Sequence, residues 1–316
     1  MRRPRWPTPL LPGMTIGIAS PAGPVTADSL DRGLRRLHTL GFETRPGPHA
    51  RDRWHYLAGS DADRAADLQA LWSDPEVDAV WCARGGYGAM RLLPLVDWQR
   101  LARPIPLIGY SDITALQLAL YRHHRLVSFS GPMISTSHGY GHPESVDHHT
   151  ETDLWSWLRP GPLPRQLANP PELPLRVLRE GRAEGPLLGG NLSLVAALVG
   201  TPYLPDFHGA ILVIEDIGEA PYRVDRMLTQ LALAGILDQI AGVVIGDFAD
   251  YQPPPEPDPG PPVAELVLER LGDRDLPVLA DLTYGHLPRR CTVPLGAWCR
   301  LETDGPSLLC DGEPTA

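Results

Sequence analysis

The stretch "PLIGYSDITALQLAL" (106–120) places a serine at an abrupt junction between two elements. Residues 106–108 are typical of the end of a short buried strand, and the apolar spacing from Ile113 onward predicts a helix. Two interpretations of the junction remain open at this point. Either Ser111 or Asp112 caps the helix, or a tight turn presents the Ser111 hydroxyl as a nucleophile beside N–H groups that stabilise an oxyanion.

Two glycine-rich stretches follow predicted strands. "CARGGYGAM" (82–90) comes after a buried strand and opens a helix, the place where α/β proteins present backbone to a ligand. It lacks the G-x-G-x-x-G pattern and the lysine of a phosphate-binding loop, so nucleotide binding is only weakly indicated. Its glycines permit a positive φ or the close approach of an N–H group to a substrate. The glycines of "LLGGNLS" (187–193) leave the same two roles open, and Asn191 and Ser193 are candidate helix caps.

An acid and a histidine stand at the ends of two further strand-like runs. Glu215 ends the apolar run "AILVIE", where an unpaired carboxylate is costly to bury. It is a solvated strand end, the partner of Arg223 or Arg226, or an acid that orients a histidine. His286 lies in "LADLTYGHLPRR" and is either a loop residue or a general base. Spacing alone does not decide between these interpretations.

The sequence also contains a cluster of potential metal ligands, which consists of His138, His142, Asp147, His148, His149 and Glu151. Gly139, Gly141 and Pro143 interrupt any helix that could pair two histidines at i and i+4, and H-E-x-x-H is missing. A solvated loop is the favoured interpretation. We therefore expect no metal and no cofactor.

The elements that must position these residues alternate between strands and helices. The patterns predict helices near 28–40, over 61–73 and over 262–272. The N-terminal part is expected to be a doubly wound, mainly parallel α/β domain (1–160) carrying the serine. A proline-rich linker (161–175) follows. A smaller, mixed α/β domain with antiparallel strands (176–316) then carries the acid and the histidine.

Composition limits the classes of partner. The chain has 316 residues, 43% hydrophobic and 21% charged, with a net charge of −10, which disfavours nucleic acid and anionic membranes as partners. No apolar run is long enough for a membrane span, and "MRRPRWPTPLLPGM" has no apolar core of a signal peptide. We expect a cytoplasmic protein whose four cysteines are reduced and buried.

Five stretches in this order give the chain a family resemblance. They are "GIASPAGPV", "ARGGYGAMRLLPLVDW", "LIGYSDITALQLAL", "GGNLSLVAALVGTPYLPDFHGAILVIEDIGEAPYRVDRMLTQL" and "YGHLPRRCTVPLGA". Together they resemble the serine LD-carboxypeptidases of bacterial murein recycling and the related microcin C immunity peptidases. The resemblance implies that Ser111 is the nucleophile, His286 the general base and Glu215 the carboxylate that orients it. It also implies an oxyanion hole made by the N–H groups of Gly86 and Asp112, and a homodimer.

The resemblance implies removal of terminal D-alanine from murein tetrapeptides through an acyl-enzyme. A free C-terminal carboxylate is best bound by arginine. Arg84, Arg289 and Arg290 lie nearest the motifs, although solvation at the surface is the competing role for each. Asn191 is a further candidate for substrate binding.

Two rival functions remain open. An immunity-type peptidase would cleave aminoacyl-nucleotide conjugates and needs an aromatic side chain to stack on the base. Trp155 and Trp157 are the available candidates, but their spacing is typical of a helix packing face. A non-catalytic nucleotide- or sugar-binding protein is the other alternative.

Overall fold

The structure, a computed structural model, describes residues 3–142, 146–162, 164–251 and 260–311. Pro143, invoked above against a metal site, lies outside these ranges. The strands are β1 (Thr15–Ala19), β2 (Glu43–Pro46), β3 (Ala79–Cys82), β4 (Leu107–Gly109), β5 (Ser128–Ser130), β6 (Arg165–Gln166), β7 (Arg176–Arg179), β8 (Arg182–Asn191), β9 (Ile211–Ile217), β10 (Gly242–Ala249), β11 (Val278–Ala280), β12 (Val293–Leu295), β13 (Trp298–Glu302) and β14 (Ser307–Asp311). The helices are α1 (Ala27–Thr39), α2 (Asp61–Ser73), α3 (Ala89–Leu92), α4 (Thr114–His124), α5 (His148–Leu158), α6 (Leu192–Leu198), α7 (Pro221–Leu233) and α8 (Val263–Leu271), with 3₁₀ turns at Trp98–Leu101 and Ser111–Ile113.

The first sheet has six strands in the order β12-β5-β4-β3-β1-β2 and is parallel except for β12. Its central strands are buried on both faces, as expected for a parallel sheet covered by helices. On β3, Val80 and Cys82 pack in one core cluster and Trp81 in the other. Helices α2 and α4 contribute to the first cluster, whereas α1 and α5 contribute to the second. The doubly wound arrangement predicted from the sequence is confirmed.

The second sheet has eight strands in the order β6-β14-β13-β8-β9-β10-β11-β7. Strands β8, β9, β10 and β11 are parallel, and antiparallel strands flank them on both sides. This mixed sheet, with α6, α7 and α8 packed against it, confirms the predicted mixed α/β character of the C-terminal part.

Two short strands connect regions that are far apart in the chain. Strand β12 comes from the C-terminal part and pairs with β5 in the first sheet. Strand β6 lies inside the proline-rich segment 161–175 and pairs with β14. Both core clusters contain residues from the two sheets. The division into domains at these boundaries stays a prediction.

The cysteines differ from the expectation that all four are reduced. Cys299 and Cys310 face each other across the antiparallel pair β13–β14 and are joined by a disulfide. Directly opposed residues on neighbouring strands bring their side chains together, which explains the pairing. Cys82 and Cys291 are free and buried, as expected.

The residues singled out above lie where strands end. Ser111 follows β4, the glycine loop 84–88 follows β3, Glu215 lies in the last part of β9, and His286 lies in the segment after β11. The carboxyl ends of parallel strands are where open α/β sheets present ligand-binding groups. No helix within the described ranges is long and apolar enough to cross a membrane.

Candidate active site

The turn that carries Ser111 has an unusual backbone conformation. Tyr110 is extended, and Ser111 follows with φ of 64°, in the left-handed region that non-glycine residues rarely adopt. A 3₁₀ turn then leads directly into α4. Within the described residues, no side-chain hydrogen bond caps this turn or α4, so neither Ser111 nor Asp112 is the cap of that helix. A strained strand-to-helix turn of this kind is the geometry of a nucleophile elbow.

The glycine loop after β3 packs against this turn. A Cβ added at Gly85 would lie 3.1 Å from the Ser111 Cβ, so a larger residue would push the loop away from the serine. Gly86 is exposed and has φ of 110°, which an L side chain rarely adopts. The Asp112 carboxylate accepts a hydrogen bond from the Ala89 N–H at 2.7 Å and ties the start of α3 to the serine turn. Burial raises the pKa of Asp112 to about 6.

Glu215 and His286 form a pair. Glu215 is fully buried, and its Oε2 lies 2.8 Å from Nδ1 of His286, whose side chain is 13% exposed. A Cβ added at Gly285 would lie 3.0 Å from Glu215 Oε2, so the glycine before the histidine permits the close approach. A hydrogen bond from Nδ1–H to a buried carboxylate fixes the tautomer in which Nε2 is free to accept a proton. Glu215 therefore pairs with His286 and not with Arg223 or Arg226.

The pair stands next to the serine turn. The ring of His286 lies 5.0 Å from that of Tyr110, the residue before Ser111. Within the part of the chain that the structure describes, Ser111 Oγ and the imidazole are not hydrogen-bonded to each other. The structure therefore brings the serine turn, the acid and the histidine close together, because Tyr110 precedes Ser111 and its ring contacts His286.

Arg290 contacts both sides of this junction. Its guanidinium carbon lies 4.1 Å from the centre of the Tyr110 ring, and Nη1 donates to the Gly285 carbonyl at 3.1 Å. The residue is 1% exposed. A buried cation over an aromatic face is favourable because the ring's negative face points at the charge. Arg290 thus contacts both the residue before Ser111 and the residue before His286.

A second carboxylate, Asp247, lies beside the pair. The backbone N–H of Asp247 donates to the Tyr284 carbonyl at 2.7 Å. A Cβ added at Gly285 would lie 3.2 Å from the backbone carbonyl oxygen of Asp247. Burial, and then the charge of Glu215, raise the pKa of Asp247. Neither Asp247 nor Tyr110 was identified from the sequence, because nothing in a strand end or in an aromatic neighbour of serine marks a site residue.

The three predicted substrate-binding residues have different surroundings. Arg84 is exposed, precedes the glycine that packs on Ser111, and has no carboxylate within ion-pair distance among the described residues. Arg289 is exposed and forms ion pairs with Asp147 at 3.3 Å and Glu172 at 2.5 Å. The structure does not bring Arg289 to the serine.

Asn191, the third of these residues, has a structural role that accounts for its polar groups. It is 3% exposed and is the N-cap of α6, where its side chain accepts from the Leu194 N–H at 3.3 Å. Its Nδ2 donates to Asp216 at 2.9 Å, and its N–H donates to the Thr114 hydroxyl at 3.1 Å. Asn191 therefore connects the helix that follows the serine turn to the second sheet.

The histidines around 138–149 do not gather into a metal site. Within the described residues, no three His, Cys, Asp or Glu side chains are placed to hold an ion together. The rings of His138 and His142 are 6.2 Å apart. His148 and His149 open α5, and Asp147 caps that helix by accepting from the Thr150 N–H at 3.1 Å.

Comparison with known proteins identifies the family of the chain. Residues 16–131 match the family model of the LD-carboxypeptidase N-terminal domain, and residues 184–301 match that of the LD-carboxypeptidase C-terminal domain. The murein tetrapeptide carboxypeptidase of Pseudomonas aeruginosa is 36% identical, over 91% of this chain and 92% of its own. The crystal structure of muramoyltetrapeptide carboxypeptidase from Oxalobacter formigenes is 30% identical and covers 96% of this chain and all of its own, with a TM-score of 0.83.

The microcin C7 self-immunity protein of Escherichia coli is also related. It is 26% identical over 95% of this chain and 94% of its own. Its structure in complex with glutamyl sulfamoyl guanosine has a TM-score of 0.90 at 24% identity, covering 99% of this chain and all of its own, which shows a shared fold. The two family matches and the 36% identity show the family directly. This chain belongs to the LD-carboxypeptidase family and is a serine-type carboxypeptidase.

Proposed function

We propose that this protein removes the terminal D-alanine from murein tetrapeptides by hydrolysing the bond between the L-centre of meso-diaminopimelate and D-alanine. The observation that carries the proposal is the buried Glu215–His286 hydrogen bond of 2.8 Å beside the strained turn of Ser111. The relatives named for murein tetrapeptide or muramoyltetrapeptide cleavage supply the substrate class.

The proposed reaction proceeds through an acyl-enzyme. Ser111 Oγ attacks the scissile carbonyl while Nε2 of His286 takes the hydroxyl proton, and Glu215 stabilises the resulting imidazolium. The N–H groups of Gly86 and Asp112 stabilise the negative oxygen of the tetrahedral intermediate. His286 then returns the proton to the departing amine of D-alanine. Water, deprotonated by His286, hydrolyses the ester and frees the tripeptide and Ser111.

The hydrogen bond between serine and histidine is expected to form when substrate is bound. Hydrogen bonds between catalytic groups are often long or unformed in the free enzyme and tighten in the complex. The contact of the His286 ring with Tyr110 supports this, because it places the imidazole beside the residue that precedes Ser111.

The C-terminal carboxylate of the substrate is assigned to Arg84. Its guanidinium has no competing carboxylate among the described residues, and it lies one residue from the glycine that packs on Ser111. Arg289 is a poor candidate because two carboxylates already pair with it.

Replacing Arg84 tests this assignment. Arg84→Ala is expected to raise KM for a tetrapeptide at least tenfold and to leave KM for an uncharged ester within about twofold, because only the peptide carries the carboxylate. Arg289→Ala is the matched control and should change neither. Equal effects of Arg84→Ala on both substrates would remove Arg84 from carboxylate binding.

The proposed reaction is tested by mass spectrometry of a purified murein tetrapeptide after incubation with the enzyme. The expected result is loss of one D-alanine. An unchanged tetrapeptide under conditions where the folded protein cleaves another substrate would overturn the proposed substrate.

The second candidate is cleavage of aminoacyl-nucleotide conjugates, favoured by the 26% identity to the microcin C7 self-immunity protein. The stacking aromatic proposed for it is not available at Trp155 or Trp157, which are 6% and 4% exposed and pack in the core. Parallel incubation with an aminoacyl sulfamoyl adenylate separates the two activities. The murein activity predicts that the tetrapeptide is the better substrate by kcat/KM.

We also propose that the protein acts in the cytoplasm, as expected from its composition, and as a homodimer, as the resemblance implies. Equilibrium sedimentation tests the dimer, with a monomer across the micromolar range as the contradicting result.

A further inference from the structure

The turn after β1 packs on the glycine loop and has no assigned role in the reaction described above. This turn, "SPAGP" (20–24), is buried throughout and is called the β1 turn below. It lies beside the loop because β1 and β3 are neighbouring parallel strands that end at the same edge of the sheet. The Gly23 N–H donates to the Gly85 carbonyl at 3.0 Å. A Cβ added at Gly85 would lie 3.1 Å from that of Ser111, so this hydrogen bond holds the part of the loop nearest the serine.

The Gly85 carbonyl belongs to the same peptide unit as the Gly86 N–H. A peptide unit is planar and trans, so its C=O and its N–H point in opposite directions. Because the Gly85 carbonyl points at the Gly23 N–H, the Gly86 N–H points away from the β1 turn. No carbonyl of the described residues accepts from the Gly86 N–H, and Gly86 is exposed. The hydrogen bond from Gly23 therefore sets the direction of a donor that is available to a substrate.

The approach of the β1 turn to the loop requires glycine at position 23. A Cβ added at Gly23 would lie 2.9 Å from the Gly85 carbonyl oxygen. This neighbour is backbone and not the flexible end of a side chain, so the Gly85–Gly86 peptide would have to shift. From the other side, a Cβ added at Gly86 would lie 3.7 Å from the N and Cα atoms of Gly23. The two segments are thus in direct backbone contact.

A buried cation joins the same two segments at a second point. Nη1 of Arg64 donates to the Pro21 carbonyl in the β1 turn and, at 3.1 Å, to the Gly88 carbonyl in the loop. Arg64 is 2% exposed, and its Nη2 pairs with Asp61. Hydrogen bonds from a charged donor are stronger than those between neutral groups. Arg64 therefore keeps the β1 turn and the loop at a fixed separation.

We propose that Gly23 is a positioning residue for the oxyanion hole and acts through the Gly85 carbonyl on the Gly86 N–H. Its hydrogen bond orients the peptide unit. It also polarises the unit, because an amide that accepts at its oxygen becomes a better donor at its N–H. The effect is greatest in the transition state, when the oxygen of the scissile carbonyl becomes negative. This inference rests on the proposed function, in which the Gly86 N–H binds that oxygen.

Gly23→Ala tests the position of the peptide unit. Loss of a whole oxyanion donor costs about 10²–10³-fold in kcat, so a displaced donor is expected to lower kcat for the tetrapeptide about 10–100-fold. KM should stay within about threefold, because the neutral carbonyl of the bound substrate uses the donor less than the oxyanion does. Calorimetric binding of uncleaved tetrapeptide to Ser111→Ala should likewise be unchanged when Gly23→Ala is added. A loss that appears in KM and not in kcat would overturn the inference.

Gly17→Ala is the matched control for general destabilisation. Gly17 lies on β1, and an added Cβ would lie 3.0 Å from Cγ1 of Val77, so this variant strains the core without touching the glycine loop. It should lower the free energy of unfolding, measured with urea, but leave kcat within about twofold of wild type. Equal losses of kcat in Gly17→Ala and Gly23→Ala would show that strain alone accounts for the effect, and the inference would be wrong.

A backbone ester separates the hydrogen bond from the added Cβ and remains decisive if Gly23→Ala does not fold. Glycolic acid at position 23 replaces the N–H by an ester oxygen, and kcat is expected to fall about tenfold with KM unchanged. The ester also weakens the Ala22 carbonyl as an acceptor. Lactic acid at position 58 controls for this, because the Ala58 N–H donates to that carbonyl at 3.0 Å. The control should leave kcat unchanged.

The outcomes for the two proposals differ. If the wild-type protein cleaves the tetrapeptide and the ester at position 23 keeps kcat within about twofold, or loses no more than the ester at position 58, the role of Gly23 is overturned. If the wild-type protein does not cleave the tetrapeptide at all, the proposed function is overturned instead.

Discussion

At the scale of single residues, the site depends on a few groups held in costly states. Ser111 keeps a positive φ, which for a non-glycine residue costs about 1–3 kcal/mol. Glu215 is a fully buried carboxylate whose Oε2 is hydrogen-bonded to the imidazole of His286. Such costs are retained where the arrangement has a use, because burial strengthens the interaction of the carboxylate with a developing imidazolium.

Replacing Glu215 by Gln tests this electrostatic role. The variant keeps the size of the side chain but loses the charge, so kcat is expected to fall about 10³–10⁴-fold with KM within about threefold. Steady-state kinetics on the tetrapeptide measures the change, and near-ultraviolet circular dichroism checks the fold. A kcat within tenfold of wild type would show that the charge of Glu215 is not used.

The residues of the site differ in how far the sequence predicted them. The strand-to-helix junction at Ser111 could be predicted locally, because buried strand and helical periodicity meet there. The roles of Glu215 and His286 came from the resemblance, since they lie about 105 and 175 positions from the serine and local patterns carry no such contact. Arg289 and Arg290 are adjacent, and only the folded backbone decides that the first is exposed and the second buried.

At the scale of elements, the serine turn and the histidine loop come from different sheets and must keep a fixed relation. Arg290 contacts both, through the Tyr110 ring and the Gly285 carbonyl. We therefore regard Arg290 as a positioning residue that acts through Tyr110.

A double-mutant cycle tests the coupling between Arg290 and Tyr110. Arg290→Met and Tyr110→Leu are each expected to lower kcat about 10–100-fold with little change in KM, and the double variant should be no worse than the poorer single variant. Tyr110→Phe keeps the aromatic face and should retain most of the activity. Additive losses, or equal losses for Tyr110→Phe and Tyr110→Leu, would contradict the coupling.

The elements themselves were largely predictable, with exceptions that have physical causes. Helices α1, α2 and α8 lie where apolar periodicity predicted them. The partner of β12 was not predictable, because a three-residue strand carries no signal for the sheet it joins. The disulfide had a usable signal: Cys299 and Cys310 flank the turn-forming stretch "ETDGPS", so a hairpin there would bring them opposite each other.

At the scale of the whole molecule, stability is linked to pH through buried carboxyl groups. Burial raises the pKa of Asp112 to about 6 from an ordinary value of 3.8. The folded protein therefore binds a proton that the unfolded chain has already released between about pH 4 and 6. The free energy of unfolding consequently falls as the pH rises through this range.

Asp112→Asn isolates this contribution. Asn cannot ionise, and its carbonyl oxygen can still accept from the Ala89 N–H. Relative to wild type, the variant should gain up to about 3 kcal/mol between pH 4 and 7. Urea unfolding across this range measures the difference.

Asp61→Asn is the control of opposite sign. The hydrogen bond from Arg91 lowers the pKa of Asp61, so this variant should lose stability relative to wild type as the pH rises from the acid range. Parallel pH profiles for wild type and Asp112→Asn would contradict the account of Asp112.

The most direct measurement of the central claim is turnover of the murein tetrapeptide by Ser111→Ala compared with wild type. The claim is that the hydroxyl at this strained turn, activated by the Glu215–His286 pair, is the nucleophile. It predicts release of D-alanine by the wild-type protein and a loss of kcat of at least about 10⁴-fold in a variant with an unchanged fold. Turnover by Ser111→Ala within tenfold of wild type would contradict it.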